Sequence, residues 1–367
     1  MPLRPPPILP PSFVPPYLLD RLAERASAPV SARAANTLMI DREHRGLREF
    51  LAPRVSSGPA PHYAKRGAPV RAIHDAGHTT QLPGKLVRSE GQAVTRDVAA
   101  DEAYEYLGAT WRLYHGIYER DSIDGAGMPL RGSVHYGEDY DNAFWNGTQM
   151  VFGDGDGEVF NRFTIAVDII GHELTHGVID HEAGLIYQGQ PGALNESICD
   201  VFGVLVKQHL LKQTAQQADW LVGAGLFTAK VEARALRSMA EPGTAYDDPV
   251  LGKDPQPAHM KDFVVTRQDN GGVHINSGIP NRAFYLAATA LPGAAWETAG
   301  RVWYDTVCDK QLPHSATFAT FANKTAVHAA QRFGSQSTER KAVLDSWAQV
   351  GVKVAATIGA TFTAAGH

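Results

Sequence analysis

His172-Glu173-Leu174-Thr175-His176 places two imidazoles and a carboxylate at a spacing suited to hydrolysis. Residues four apart on a helix share one face, one turn above the other. His172 and His176 so placed can grip one Zn²⁺, and Glu173 can reach a water on that metal as a general base. A catalytic zinc takes three protein ligands and keeps one position open, so another element must supply a third. Glu196 and Asp200 lie four apart in Asn195-Glu196-Ser197-Ile198-Cys199-Asp200. One carboxylate can ligate the metal while the other accepts an N–H from a ligand histidine and fixes its tautomer.

A third constellation is Asp269-Asn270-Gly271-Gly272-Val273-His274. Asn-Gly-Gly predicts a tight turn with positive φ. The turn delivers His274, which can stabilise the oxyanion formed when water attacks a carbonyl, and Asp269 can hold its ring.

The elements that must carry these groups follow from periodicity. The apolar run 165–170 leads into a helix through His176, and Pro191-Gly192 signals a turn before a helical pattern reaching Leu210. A helical stretch over 279–291 follows His274. Residues from about 65 to 160 are turn-rich and β-leaning, with short strands over 132–136 and 149–152 and one helix over 101–118. Helical spacing returns over 294–309, 316–333 and 338–350, the last with Ser337 as N-cap and Glu339 in its first turn. This predicts an α+β protein with a β-rich lobe, a helical lobe and a cleft between them above the His172–His176 helix.

H-E-L-T-H, then N-E-x-x-x-D with nineteen residues between His176 and Glu196, then D-N-G-G-V-H-I-N-S-G, resembles the thermolysin family of zinc metallopeptidases. Supporting matches are Asn142-Ala143-Phe144-Trp145-Asn146-Gly147, Gly153-Asp154-Gly155-Asp156-Gly157, Ala183-Gly184-Leu185-Ile186-Tyr187-Gln188 and Leu236-Arg237-Ser238-Met239. They run in family order from about residue 70 onward.

The resemblance implies a zinc-dependent neutral endopeptidase acting on proteins or peptides. It implies His172, His176 and Glu196 as ligands of one catalytic zinc and Glu173 as the base. Tyr187 and His274 become the oxyanion donors, with Asp269 orienting His274. Asp200 supports His172, and Asn195 supports His176. Asn142, the Ala143 carbonyl and Arg237 hold the peptide backbone. Phe160, Ile169, Val222 and Leu236 wall the pocket for an apolar residue after the scissile bond.

Two stretches depart from the family. Where its members carry calcium-binding carboxylates, this chain has Val206-Lys207-Gln208 and Asp219-Trp220-Leu221-Val222-Gly223-Ala224. Calcium wants roughly six to eight oxygens, so the double-calcium site is expected to be lost, with Lys207 supplying charge against Asp168 or Asp219. Residual Ca²⁺ binding stays open. Gly153–Gly157 reads as a turn-rich loop and not a calcium loop.

The N-terminus is the second departure. The Pro-rich start Met1–Pro16 lacks the apolar run of a signal peptide. Helical patterns follow over 17–27 and 31–51, then a linker over 56–61. This resembles the short propeptide of the family's protealysin-like subgroup. Residues 1–63 are expected to be an intramolecular inhibitor, with Pro15-Pro16-Tyr17 near the zinc, ahead of lobes 64–180 and 181–367. The alternative is a catalytically silent zinc-binding regulatory protein whose N-terminal segment is a permanent plug.

Composition adds exclusions. A net charge of −5 without a Lys/Arg-rich run gives no reason to invoke nucleic acid. No stretch approaches the roughly 18 apolar residues of a membrane span, and a monomer is expected. Two distant cysteines make no disulfide framework. Without a signal peptide, the chain is expected to be cytoplasmic or exported by a signal-less route. Cys199 is expected to be a packed thiol; His115, His135, His181, His209, His259, His314 and His328 are expected to be structural or on the surface.

Overall fold

A computed structural model describes residues 12–51 and 67–355, the side chains of 43–51 excepted. The 56–61 linker and the residues before Ser12 lie outside the described residues. Helices α1 (Pro16–Arg25) and α2 (Ala28–Leu51) form the N-terminal segment. Pro16 opens α1, where a missing N–H costs nothing. Leu18, Leu19 and Leu22 of α1 are buried in the main core.

Strands β1 (Arg71–Asp75) and β2 (Lys85–Ser89) precede helix α3 (Val98–Tyr118). Then come β3 (Leu130–Val134), β4 (Ala143–Trp145) and β5 (Met150–Phe152). The five-stranded sheet has the order β2-β1-β3-β5-β4. β1–β3 and β3–β5 are parallel; the two edge pairs are antiparallel. The strand predicted over 132–136 sits two residues earlier, and the helix predicted from 101 starts at Val98 because Asp97 caps it, accepting from Ala99 and Ala100 N–H.

Helices α4 (Val167–His181) and α5 (Gly189–Leu211) form the centre. Every residue of α4 from Val167 to Ile179 is buried. The two helices approach closely because Gly171 faces Gly203: a methyl on Gly203 would stand 2.5 Å from the Asp168 carbonyl oxygen. That contact brings His172-x-x-x-His176 against Asn195-Glu196. Pro191-Gly192, expected as a turn, lies inside the first turn of α5; first-turn N–H groups have no intrahelical partner, so proline is tolerated there.

A two-stranded ribbon, β6 (Leu221–Val222) with β7 (Arg237–Ser238), borders the centre. Helices α6 (Asp269–Asn276), α7 (Gly278–Thr289), α8 (Ala299–Val307), α9 (Phe318–Phe333) and α10 (Thr338–Gln349) complete the helical lobe. Asn270, Gly271 and Gly272 have φ of 49°, 85° and 76°, the predicted positive-φ turn. α8 starts at Ala299, later than expected, because 294–298 form turns after Pro292-Gly293. Ser337 caps α10 by accepting from Arg340 N–H at 3.1 Å. Trp303 and Trp347 stack in this lobe's core, centroids 5.9 Å apart. Among the described residues, no helix is long and apolar enough to cross a membrane.

Candidate metal centre and substrate cleft

His172 and His176 turn their Nε2 atoms toward each other across 3.2 Å. Glu196, from α5, sets Oε2 3.5 Å from His172 Nε2 and Oε1 3.6 Å from His176 Nε2. Ligand atoms on a tetrahedral zinc stand about 3.3 Å apart, given metal–ligand bonds near 2.0–2.1 Å. The three groups therefore converge at the spacing such an ion requires. Glu196 Oε2 is buried and accepts no hydrogen bond from protein. Burial alone would raise the Glu196 carboxyl, but His274, His172 and His176 hold it well below the ordinary range. An ionised, partly unsatisfied carboxylate facing two imidazole nitrogens suits a divalent cation.

The outer nitrogens are held as well. His172 Nδ1 lies 2.8 Å from Asp200 Oδ1, and His176 Nδ1 lies 2.8 Å from Asn195 Oδ1. Asp200 also accepts from Arg237 Nε at 2.8 Å, Arg237 Nη2 at 2.7 Å and Asn281 Nδ2 at 2.8 Å. Burial would raise the Asp200 carboxyl; Arg237 and His172 outweigh it and hold it at about 2. Cys199 is buried with Sγ 3.2 Å from His176 Nδ1. The thiol thus meets the outer nitrogen, away from the converging Nε2 atoms, so it is not a ligand candidate there.

Glu173 is fully buried, and its Oε2 accepts from Trp145 N–H on edge strand β4 at 2.9 Å. The Tyr187 hydroxyl donates to Glu196 Oε1 and lies 3.3 Å from His274 Nε2. Burial, then the Glu196 carboxylate, raises the Tyr187 phenol well above its ordinary value, so it stays a donor. Asp269 takes His274 Nδ1 at 2.6 Å and the His274 backbone N–H at 2.8 Å. The positive-φ turn between the two residues permits this double contact.

The N-terminal segment enters this cleft. Phe13 N–H donates to the Ala143 carbonyl at 3.0 Å, and Val14 N–H donates to Asn142 Oδ1 at 2.8 Å. Asn142 Nδ2 and Arg237 Nη1 approach the Val14 and Phe13 carbonyls at 3.4 and 3.5 Å. The Phe13 ring packs edge-on to His172 and under the Arg237 guanidinium. Gly223 borders the ring: a methyl there would stand 3.2 Å from it. Val222 and Leu236 flank that glycine and are buried, as are Phe160 and Ile169. The Phe160 ring pairs with Phe163 and Phe227.

The residue against His172 is thus Phe13, where the sequence pointed to Pro15-Pro16-Tyr17. Pro15 and Pro16 instead start α1, and Tyr17 sits beside Tyr246 and Asp254. Arg237 does more than hold a backbone: two of its nitrogens grip Asp200. Asp41 of α2 was not legible as a site residue; its carboxylate accepts from Tyr140 Oη at 2.7 Å and Asn142 Nδ2 at 3.0 Å. Asn281, which donates to Asp200, is an isolated amide in a helix and carries no spacing signal in the sequence. Lys207 Nζ lies 3.2 Å from Asp168 Oδ2 and 2.8 Å from Asp219 Oδ1, and donates to the Leu221 carbonyl at 2.8 Å. It meets both carboxylates rather than one.

Comparison with known proteins identifies the family. Residues 62–180 match the family model of the thermolysin metallopeptidase catalytic domain, and 183–352 match that of its alpha-helical domain. An extracellular metalloprotease of Pectobacterium carotovorum subsp. carotovorum is 56% identical over 344 residues, covering 94% of this chain and 96% of that one. A thermolysin of Alicyclobacillus acidocaldarius subsp. acidocaldarius is 34% identical over 91% of this chain and 60% of its own length. The solved precursor of protealysin, a metalloproteinase from Serratia proteamaculans, superposes with a TM-score of 0.86 at 57% identity, covering 94% of this chain and 100% of that one. With its two-lobed α+β fold, the chain belongs to the thermolysin family and is a metallopeptidase.

Proposed function

We propose that this chain is the zymogen of a zinc endopeptidase that prefers an apolar residue after the scissile bond. The observation that carries the reading is the seating of Phe13-Val14 on Asn142, Ala143 and Arg237, with the Phe13 ring against His172. These are the groups expected to hold a peptide, and here the chain's own N-terminal segment engages them.

His172, His176 and Glu196 would hold the ion. Bound there, zinc supplies Lewis acidity toward a carbonyl and a water. Glu173, aimed by Trp145 N–H, takes a proton from the attacking water and returns it to the leaving amine. Water thus adds hydroxyl to the carbonyl carbon and hydrogen to the amine nitrogen. Tyr187 Oη and His274 Nε2 donate to the developing oxyanion, and Asp269 holds the His274 ring for that task. Asn142, the Ala143 carbonyl and Arg237 align the substrate backbone as they align Phe13-Val14. Val222, Leu236, Phe160 and Ile169 supply the apolar side of the pocket.

Residues 1–63 are the removable inhibitor, followed by lobes 64–180 and 181–367. The names of the extracellular relatives support action outside the cell. Lys207 takes the place of calcium between Asp168 and Asp219. Its ammonium is depressed by burial but raised overall by the two carboxylates, so it stays charged.

The test is incubation of the purified full chain at neutral pH, with and without a chelator. The chain should lose residues 1 to about 63 and then cut casein, both steps stopping with chelator. An uncut chain that hydrolyses peptides as fast as the trimmed form would overturn the zymogen reading. A trimmed, zinc-loaded chain with no hydrolysis would favour the silent regulatory protein.

A further inference from the structure

We propose that His78, His135 and Asp154 form a second metal site, outside the cleft, for Zn²⁺ or a similar nitrogen-preferring divalent cation. The three offer one ligand atom each within 4.8 Å of one another. His135 Nδ1 lies 2.8 and 3.0 Å from the two Asp154 oxygens, and His78 Nδ1 lies 3.4 Å from Asp154 Oδ2. Ligand atoms on a tetrahedral ion stand about 3.3 Å apart, so shifts of a few tenths of an ångström would seat one.

The surroundings of His135 are those of a metal ligand. Its other nitrogen, Nε2, lies 2.8 Å from Asp97 Oδ2. Asp97 is itself pinned, because its Oδ1 caps α3 through Ala99 and Ala100 N–H. A fixed carboxylate that keeps the proton on one ring nitrogen presents the lone pair of the other outward, the usual partner arrangement of a metal-bound histidine. The ring sits between Asp97 on its Nε2 side and Asp154 on its Nδ1 side; a cation would take the Nδ1 side.

Three separate backbone segments converge here: the turn after β1, the residue after β3 and the loop after β5. The His78 N–H donates to the His135 carbonyl at 2.8 Å. Both histidines have positive φ, 59° and 55°. That conformation is uncommon for a side-chain-bearing residue and costs of order 1 kcal/mol or more. The His78 side chain is 63% exposed, which leaves room for water to complete the coordination. Two imidazoles with one carboxylate suit zinc, nickel or cobalt, whereas calcium wants an all-oxygen shell. The site shares no residue with His172, His176 and Glu196, so it stands or falls separately from the catalytic reading.

The test is metal analysis of the full-length chain after zinc loading and removal of excess. The parent should carry about two zinc ions, one tetrahedral site each. His172→Ala should keep the second, and His78→Ala should lose it while retaining the first. Zinc added to His172→Ala should raise its melting temperature, and this shift should vanish when His78→Ala is added. The proposal fails if the parent holds a single zinc. It also fails if the second ion and its melting shift survive in both His78→Ala and Asp154→Ala.

Discussion

The Phe13 ring stands edge-on to the imidazole of His172, centroids 5.3 Å apart and planes at 90°. A residue of the N-terminal segment therefore packs against a proposed metal ligand. The backbone hydrogen bonds on either side of it fall on Asn142, Ala143 and Arg237, the groups proposed to hold a substrate.

Phe13 should be the main side-chain anchor of inhibition. Phe13→Ala removes a fully buried ring, a change costing ~3–5 kcal/mol in protein cores. The uncut precursor should gain peptidase activity by at least tenfold or mature faster, measured with a short fluorogenic peptide and by gel. Tyr17→Ala should do less. Equal effects at both positions would show that the anchor is spread along the segment.

Asp41 ties α2 to Tyr140 and Asn142. Asp41→Ala takes the acceptor from the buried Tyr140 hydroxyl, at ~1–3 kcal/mol, and leaves Asn142 Nδ2 only the Val14 carbonyl at 3.4 Å. The precursor should melt several degrees lower, whereas the trimmed enzyme, which lacks Asp41, is the same molecule from either parent. A precursor unchanged in melting would mean that this contact contributes nothing to docking.

Glu173→Gln should keep its zinc and lose at least ~10²-fold in turnover, the lower end for a positioned acid–base group. The variant should also stay whole on incubation. Zinc content and single-turnover hydrolysis are the readouts; loss of the metal would make Glu173 a ligand instead.

Lys207 links a fully buried carboxylate, Asp168, to an exposed one, Asp219. Lys207→Ala strips the buried carboxylate of its cation, and breaking a buried pair this way costs ~3–5 kcal/mol. The parent should melt within a degree or two with or without millimolar Ca²⁺, since a ligand that does not bind the native state cannot stabilise it. A large calcium-dependent rise in the parent would disprove the substitution of Lys207 for calcium.

Asp141 is buried beside Asn142, and burial, then the Asp156 carboxylate, pushes it up to about 8. The folded state therefore binds its proton more tightly than the unfolded state. The stability it contributes is full below the unfolded value near pH 4. It falls by about 1.4 kcal/mol per pH unit until the folded value is passed. Asp141→Asn should remove this slope. Urea unfolding of the two proteins at pH 5 and 8 should show the variant gaining most at pH 8; parallel pH profiles would contradict the assignment.

What the sequence determined by itself is local. The i, i+4 spacing of His172 and His176, and of Glu196 and Asp200, is a consequence of helix pitch, so their common faces follow without tertiary knowledge. The Asn270-Gly271-Gly272 turn follows from φ preferences, and the Ser337 cap from unpaired first-turn N–H groups. Lobes and most helices follow from apolar periodicity, although Pro191-Gly192 misled because the first turn of a helix tolerates residues that look like breakers.

What only the tertiary structure decided involves partners far apart in the chain. Asp41 reaches Asn142 across 101 residues, and Phe13 reaches Arg237 across 224. Several apolar residues of the first twenty could have filled the pocket, and the start of α1 at Pro16 leaves Phe13 in the short non-helical stretch that enters it. His135 has no partner at helical or strand spacing; its carboxylates come from the α3 cap and the loop after β5. Local periodicity encodes which face a residue takes. The identity of the group it meets there is set by how α2, the sheet and the two central helices pack.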